Sequence, residues 1–169
     1  SNYLARVVLP EPATELSIVV DLVVEMSATN PFDFFLEPDV LVWPFAYEAT
    51  LASDLAAYRV VTDDPQPNVL AFVAAAEARA AAKRALHQDV FTNDFLVELN
   101  RQICERIRYV VRLEPGLQTP EETLEKQSGS CRDSAWLLVQ VLRRLGFAAR
   151  FASGYLIQLA PDEVPLEGP

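Results

Sequence analysis

The chain has 169 residues, 51% of them hydrophobic, enough for one well-cored domain or a domain with a small appendage. Its 24 acidic against 14 basic residues leave a formal charge of -10, which argues against nucleic acid and anionic membrane surfaces as partners. Two cysteines, Cys104 and Cys131, are too few for a disulfide framework, and no apolar run reaches the ~18 residues of a membrane span, so a reducing, cytoplasmic setting without a secretory leader is expected.

In chain order, Tyr3 to Leu9 is strand-like and Pro10-Glu11-Pro12 turns the chain. Leu16, Ile18, Val20, Leu22, Val24 and Met26 alternate with Ser17, Asp21 and Glu25, the period of a half-buried strand. Residues 32–45, "FDFFLEPDVLVWPF", are aromatic-rich and broken by Pro38 and Pro44; they predict short extended pieces. Glu48 to Tyr58 predicts a short helix. The polar stretch "TDDPQP" at 62–67 is the best linker candidate. Beyond it the composition changes. Val69 to Leu86 is alanine-rich and helical, and Phe95, Leu99, Ile103 and Ile107 recur every four residues, as on an amphipathic helix. Tyr109 to Leu113 is extended, Pro115-Gly116 turns, and Thr119-Pro120 places a capping residue and a proline at the start of a short helix. Phe147 to Leu159 predicts a strand with Gly154 inside it.

The stretch "SGSCRDSAWLLVQVLRRLGF" carries the chemistry. Cys131, Ala135, Leu138, Leu142 and Leu145 share one helical face. Ser130 and Asp133 fit a capping box, Gly146 fits a stop, and Arg143 and Arg144 suit the negative end of the dipole. The helix is therefore predicted from about Cys131 to Leu145, with the thiol on its first turn. Unpaired N–H groups there favour an anion such as a thiolate, and the same groups can hold an oxyanion on an attacked substrate. Gly129 permits close backbone approach at the preceding turn. A second account stays open: Ser130 and Asp133 are explained as caps, and free cysteine is among the most buried residue types.

"TPEETLEKQSGSCRDSAWLLVQVLRRLGFAARFASGY" resembles the core motif of the transglutaminase-like superfamily of bacterial cysteine enzymes, a family of hydrolases and acyltransferases that includes cysteine proteases. The matching residues are Thr119, Pro120, Gly129, Cys131, Asp133, Gly146, Ser153, Gly154 and Tyr155, and the likeness covers about residues 90 to 159. The segment before Pro67 is similar, on strand pattern and "NPFDFFLEP", to the β-rich region preceding that core. The resemblance implies that Cys131 is the thiol nucleophile of a Cys-His-Asp triad on a papain-like core, with Gly129, Ser130 and Tyr155 as substrate-binding candidates. The family's histidine and aspartate follow the cysteine. No histidine follows Cys131 here, and Asp162 is the only later aspartate outside the matched motif, so neither role is carried onto a residue. His87, the single histidine, lies upstream and is expected near the C-terminal end of its helix, where a cation is welcome. Cys104, one residue off its stripe, is expected to be structural.

The expected fold is α+β. A β-rich region spans 3–66, and a transglutaminase-like core at 67–169, incomplete at its C-terminus, packs helices on an antiparallel sheet. The expected function is a fragment of an enzyme acting on amide or peptide bonds through a Cys131 thioester, itself inactive for want of the matching His and Asp. The alternative is a non-catalytic protein-interaction module that keeps the fold. No cofactor and no metal are expected, since two cysteines and one distant histidine make no ligand spacing. Expected partners are a protein or peptide substrate and a second copy of the chain meeting through an exposed sheet edge, with no nucleic acid and no membrane.

Overall fold

Five helices and one short ladder are built by the described residues, which in this computed structural model are 6–19, 21, 23, 25, 34–62, 66–112 and 114–154. Contacts group the chain into two units, Ser1–Phe35 and Leu36–Pro169. The division at 66/67 read from the sequence is one of composition.

Within the first unit the described residues form no strand. Leu16, Ile18, Val19 and Val23 are exposed, and so are Val7 and Val8. The β-rich N-terminal region is therefore not seen among the described residues. Alternation buries a face only where a neighbouring strand supplies a ladder and a second layer covers it, and neither is present among those residues. The rest of the alternating run (Val20, Leu22, Val24, Met26) and Tyr3 lie outside them.

In the second unit the helices are α1 (Ala49–Asp54), α2 (Pro67–Ala85), α3 (Thr92–Arg106), α4 (Pro120–Lys126) and α5 (Cys131–Arg144). Between them lie β1 (Arg108–Tyr109) and β2 (Ser128–Gly129). Most boundaries follow their caps. α4 has the expected cap at Thr119 with Pro120 in its first turn, and Glu122 completes it as a capping box. α5 has the Ser130–Asp133 box and closes in a Schellman turn: Phe147 N–H reaches Leu142 O and Gly146 N–H reaches Arg143 O, with Gly146 at φ +91°. α2 ends the same way, but its left-handed residue is His87 at φ 57°.

The core is the meeting of α2, α3 and α5. The predicted α3 stripe is buried as drawn, at Phe95, Leu99, Ile103 and Ile107. It packs with Phe72, Val73, Ala76 and Ala80 of α2 and with Leu137, Val141 and Leu145 on the α5 side. Trp43 enters from the preceding segment, stacks on Phe95 with centroids 4.3 Å apart, and donates its indole N–H to Leu145 O. The segment is held by backbone bonds from Trp43 N to Val90 O and from Thr92 N to Leu41 O, and by an antiparallel bridge between Val42 and Phe91.

The expected antiparallel sheet is a second correction. The ladder among the described residues is parallel, with Arg108 opposite Ser128 and Tyr109 opposite Gly129. Residues 147–154 form no strand. Their described backbone bonds run elsewhere: Ala149 N donates to Tyr58 O, Ala148 N donates to the Tyr47 hydroxyl, and Ala149 O accepts from Arg143 Nε.

Candidate active site

Cys131 occupies the first position of α5 and is exposed. The turn delivering it runs through β2, whose Gly129 carbonyl accepts from Val110 N. Gly129 and Ser130 are buried. The thiol therefore stands at the surface on a turn whose preceding residues are fixed beneath it.

Asp133 does the fixing. It is fully buried, and its oxygens accept from Ser130 N (2.8 Å), Ser130 Oγ (2.8 Å), Gln118 N (2.8 Å), Gln118 Nε2 (3.2 Å) and Arg112 Nε (2.8 Å). Burial works against its charge, but the donors from Gln118, Ser130 and Arg112 outweigh it and hold the carboxyl well below the ordinary carboxylate range. Gly129 is needed for this packing. A Cβ there would lie 2.9 Å from Asp133 Cβ and 3.4 Å from Gln118 Nε2, so the missing side chain makes room for Asp133.

Two donors at the helix head stay available. The box engages the N–H groups of Ser130 and Asp133, and those of Cys131 and Arg132 have no partner among the described residues. Both belong to the first turn that carries the sulfur, where an oxyanion formed by its attack could be held. The thiol itself has no hydrogen-bond partner among the described residues.

His87 is not brought to Cys131. Arg84 lies over the Trp43 ring at 5.6 Å, and Trp43 bonds to Leu145 O, so the end of α2 stands beside the end of α5. Cys131 is at the other end of α5, whose 14 residues span about 20 Å. As expected, His87 terminates α2. Cys104 differs from expectation: it is exposed in the last turn of α3. Tyr155 lies outside the described residues.

The predicted α5 stripe is out of phase. The most buried positions are Asp133, Leu137, Gln140 and Val141, while Leu138 and Leu142 are half-buried at its margin. Asp133 and Gln140 are polar, so a hydropathy pattern assigns them to the surface. Gln140 is instead clamped to Thr62 by a bond from its Nε2 to Thr62 Oγ1. Arg112 and Gln118 were also missed, since nothing in their local spacing marks them as partners of a residue 15 or more positions away. Among the described residues no group of His, Cys, Asp and Glu could hold a metal, and no helix is long and apolar enough to cross a membrane.

No curated protein and no solved structure matches the chain significantly. The model of the transglutaminase-like superfamily matches residues 76–163, from α2 through α5 and beyond. That is more than half of the 169 residues, and the chain belongs to the transglutaminase-like superfamily.

Proposed function

We propose that the chain carries the nucleophile of a cysteine enzyme acting on amide or peptide bonds of a protein or peptide substrate. The observation that carries this reading is Cys131: exposed, first in its helix, with its own N–H and that of Arg132 unpartnered among the described residues. The Cys131 sulfur adds to the substrate carbonyl, and the developing oxyanion turns toward the N–H groups of Cys131 and Arg132. Collapse breaks the C–N bond and releases the amine, which needs a proton from a general acid. The resulting thioester is resolved by water, giving hydrolysis, or by a second amine, giving transamidation. Gly129 and Ser130 serve by shaping the turn, and Tyr155 is kept as a substrate contact on its motif match.

The base and acid role falls to no described residue. Asp133 is buried and saturated with donors, and the single histidine is at the wrong end of α5. The group that moves the proton is thus not supplied by these residues. That same observation favours the second reading, an interaction module that keeps the fold without turnover.

An activated ester separates the two readings, because its phenolate leaves without a proton. On treatment with p-nitrophenyl acetate, Cys131 is expected to become acetylated at one group per chain, as read by peptide mass mapping. Cys131→Ala should remove that label, and a matched anilide should not be turned over. No acetylation at Cys131 above that at Cys104 would overturn the enzymatic reading and leave the module.

A further inference from the structure

Gln118 stands one residue before the start of α4, where the Thr119–Glu122 box holds the chain, and it is buried, at 4% exposure. Its Nε2 donates to Ser128 O at 3.1 Å and to Asp133 Oδ2 at 3.2 Å. Those two residues bracket Cys131, one before it and one after. The Gln118 backbone N–H donates to the other Asp133 oxygen at 2.8 Å. One residue thus ties β2 to the first turn of α5 from a third, separately anchored element.

The tie is made at a cost. Gln118 Oε1 is buried and has no hydrogen-bond partner among the described residues. Turning the amide over would not relieve it. A carbonyl and a carboxylate only accept, so only the NH2 group can face Ser128 O and Asp133 Oδ2. An unpaired buried acceptor loses its hydration with nothing in return, and an apolar side chain of the same length would avoid that penalty. The position is therefore explained by the two bonds that Nε2 donates, not by what the oxygen does. Gly129 leaves the amide its room, since a Cβ there would lie 3.4 Å from Nε2.

We propose that Gln118 is a positioning residue for acyl transfer at Cys131, an inference that rests on reading that thiol as the nucleophile. Donors hold an oxyanion well only when they are fixed before the reaction. The N–H groups of Cys131 and Arg132 have no partner among the described residues, so their directions follow from the backbone between Ser128 and Asp133. The Gln118 amide fixes both ends of that span. Alkylation of the same sulfur by iodoacetamide develops no charge on a carbonyl oxygen and does not draw on those donors. Acylation and alkylation therefore respond differently to a loosened turn.

Two reactions of Cys131 in the full chain test this, each read by peptide mass mapping. In acetylation by p-nitrophenyl acetate the S–C bond forms and p-nitrophenolate leaves; in alkylation by iodoacetamide the S–C bond forms and iodide leaves. Gln118→Met keeps the length of the side chain and drops the amide. In that variant the ratio of acetylation to alkylation rates at Cys131 is expected to fall about tenfold, a fraction of the ~100-fold or more that follows outright loss of an oxyanion donor. The same ratio at Cys104 should hold, and the urea midpoint should stay close to the parent's, because the orphaned acceptor goes with the lost donors. Should Gln118→Met fail to fold, Gln118→Asn, which retracts the amide by one methylene, is expected to show the same fall. A parent-like ratio in a folded variant, an equal fall at Cys104, or loss of the fold in both variants would overturn the proposal while leaving the nucleophile in place. Failure of the parent to acetylate at Cys131 above Cys104 would instead remove that reading, and the role of Gln118 with it.

Discussion

Asp133 is the residue on which the presentation of Cys131 turns. Its carboxylate joins α5, the turn before it, the chain at Gln118 and the guanidinium of Arg112. Asp133→Asn keeps the shape but puts an NH2 against donors, and removing one partner of a buried, hydrogen-bonded pair costs about 3 kcal/mol; urea denaturation should show that loss. The pH dependence has a definite sign. Because the folded carboxyl is held below its ordinary value, its contribution is complete above the unfolded value of ~3.9 and fades as pH falls below it. The Asn variant should therefore show a flatter acid limb than the parent, and parallel limbs would contradict this role. At this scale the sequence was readable where partners are local. Ser130, Asp133, Thr119 and Gly146 announced their caps. Arg112 and Gln118 reach Asp133 across a loop, and no periodicity encodes that.

Among the elements, α2 begins in an unusual way. Its own N-cap, Gln66, makes no side-chain cap bond. Glu121, from the first turn of α4, accepts from Asn68 N, Asn68 Nδ2 and Val69 N instead. One helix thus caps another, and the two starts are locked together. Glu121→Ala is expected to cost about 1–2 kcal/mol, the value of a lost cap, and to speed amide hydrogen exchange at Asn68 and Val69 more than at the end of α2. Uniform exchange along the helix would argue against it. α2 and α3 were legible because apolar residues at helical spacing, Phe72, Val73, Ala76 and Ala80 on α2 and Phe95, Leu99 and Ile103 on α3, dominate their buried faces. α5 was found but misphased, because Gln140 and Asp133 are buried through bonds to distant chain rather than through hydrophobicity.

For the whole molecule, the sheet was the hardest feature to read. Strand-like alternation in residues 16–26 and a strand at 147–159 were expected alongside an antiparallel layer, whereas the described chain makes one two-residue parallel ladder. A strand depends on a partner elsewhere in the chain, which local pattern does not specify. Helical burial in contrast is set by spacing along one element, and the helical core was recoverable for that reason, whereas the family was read from the resemblance of the motif around Cys131. The segment carrying Trp43 was expected as short extended pieces, but its partners Val90 and Leu145 lie far along the chain and no local pattern names them. The fold that results holds its two thiols in contrasting places, both exposed. Cys131 stands at a helix head whose first N–H groups are unpartnered among the described residues, and Cys104 lies in a last turn, where helix carbonyls gather. The direct test is competitive alkylation of the native chain with limiting iodoacetamide near neutral pH, read at both cysteines by mass spectrometry. Cys131 is expected to be modified severalfold faster, with the advantage lost on unfolding in urea. Equal rates in the native chain, or a faster Cys104, would contradict the assignment of Cys131 as the nucleophile.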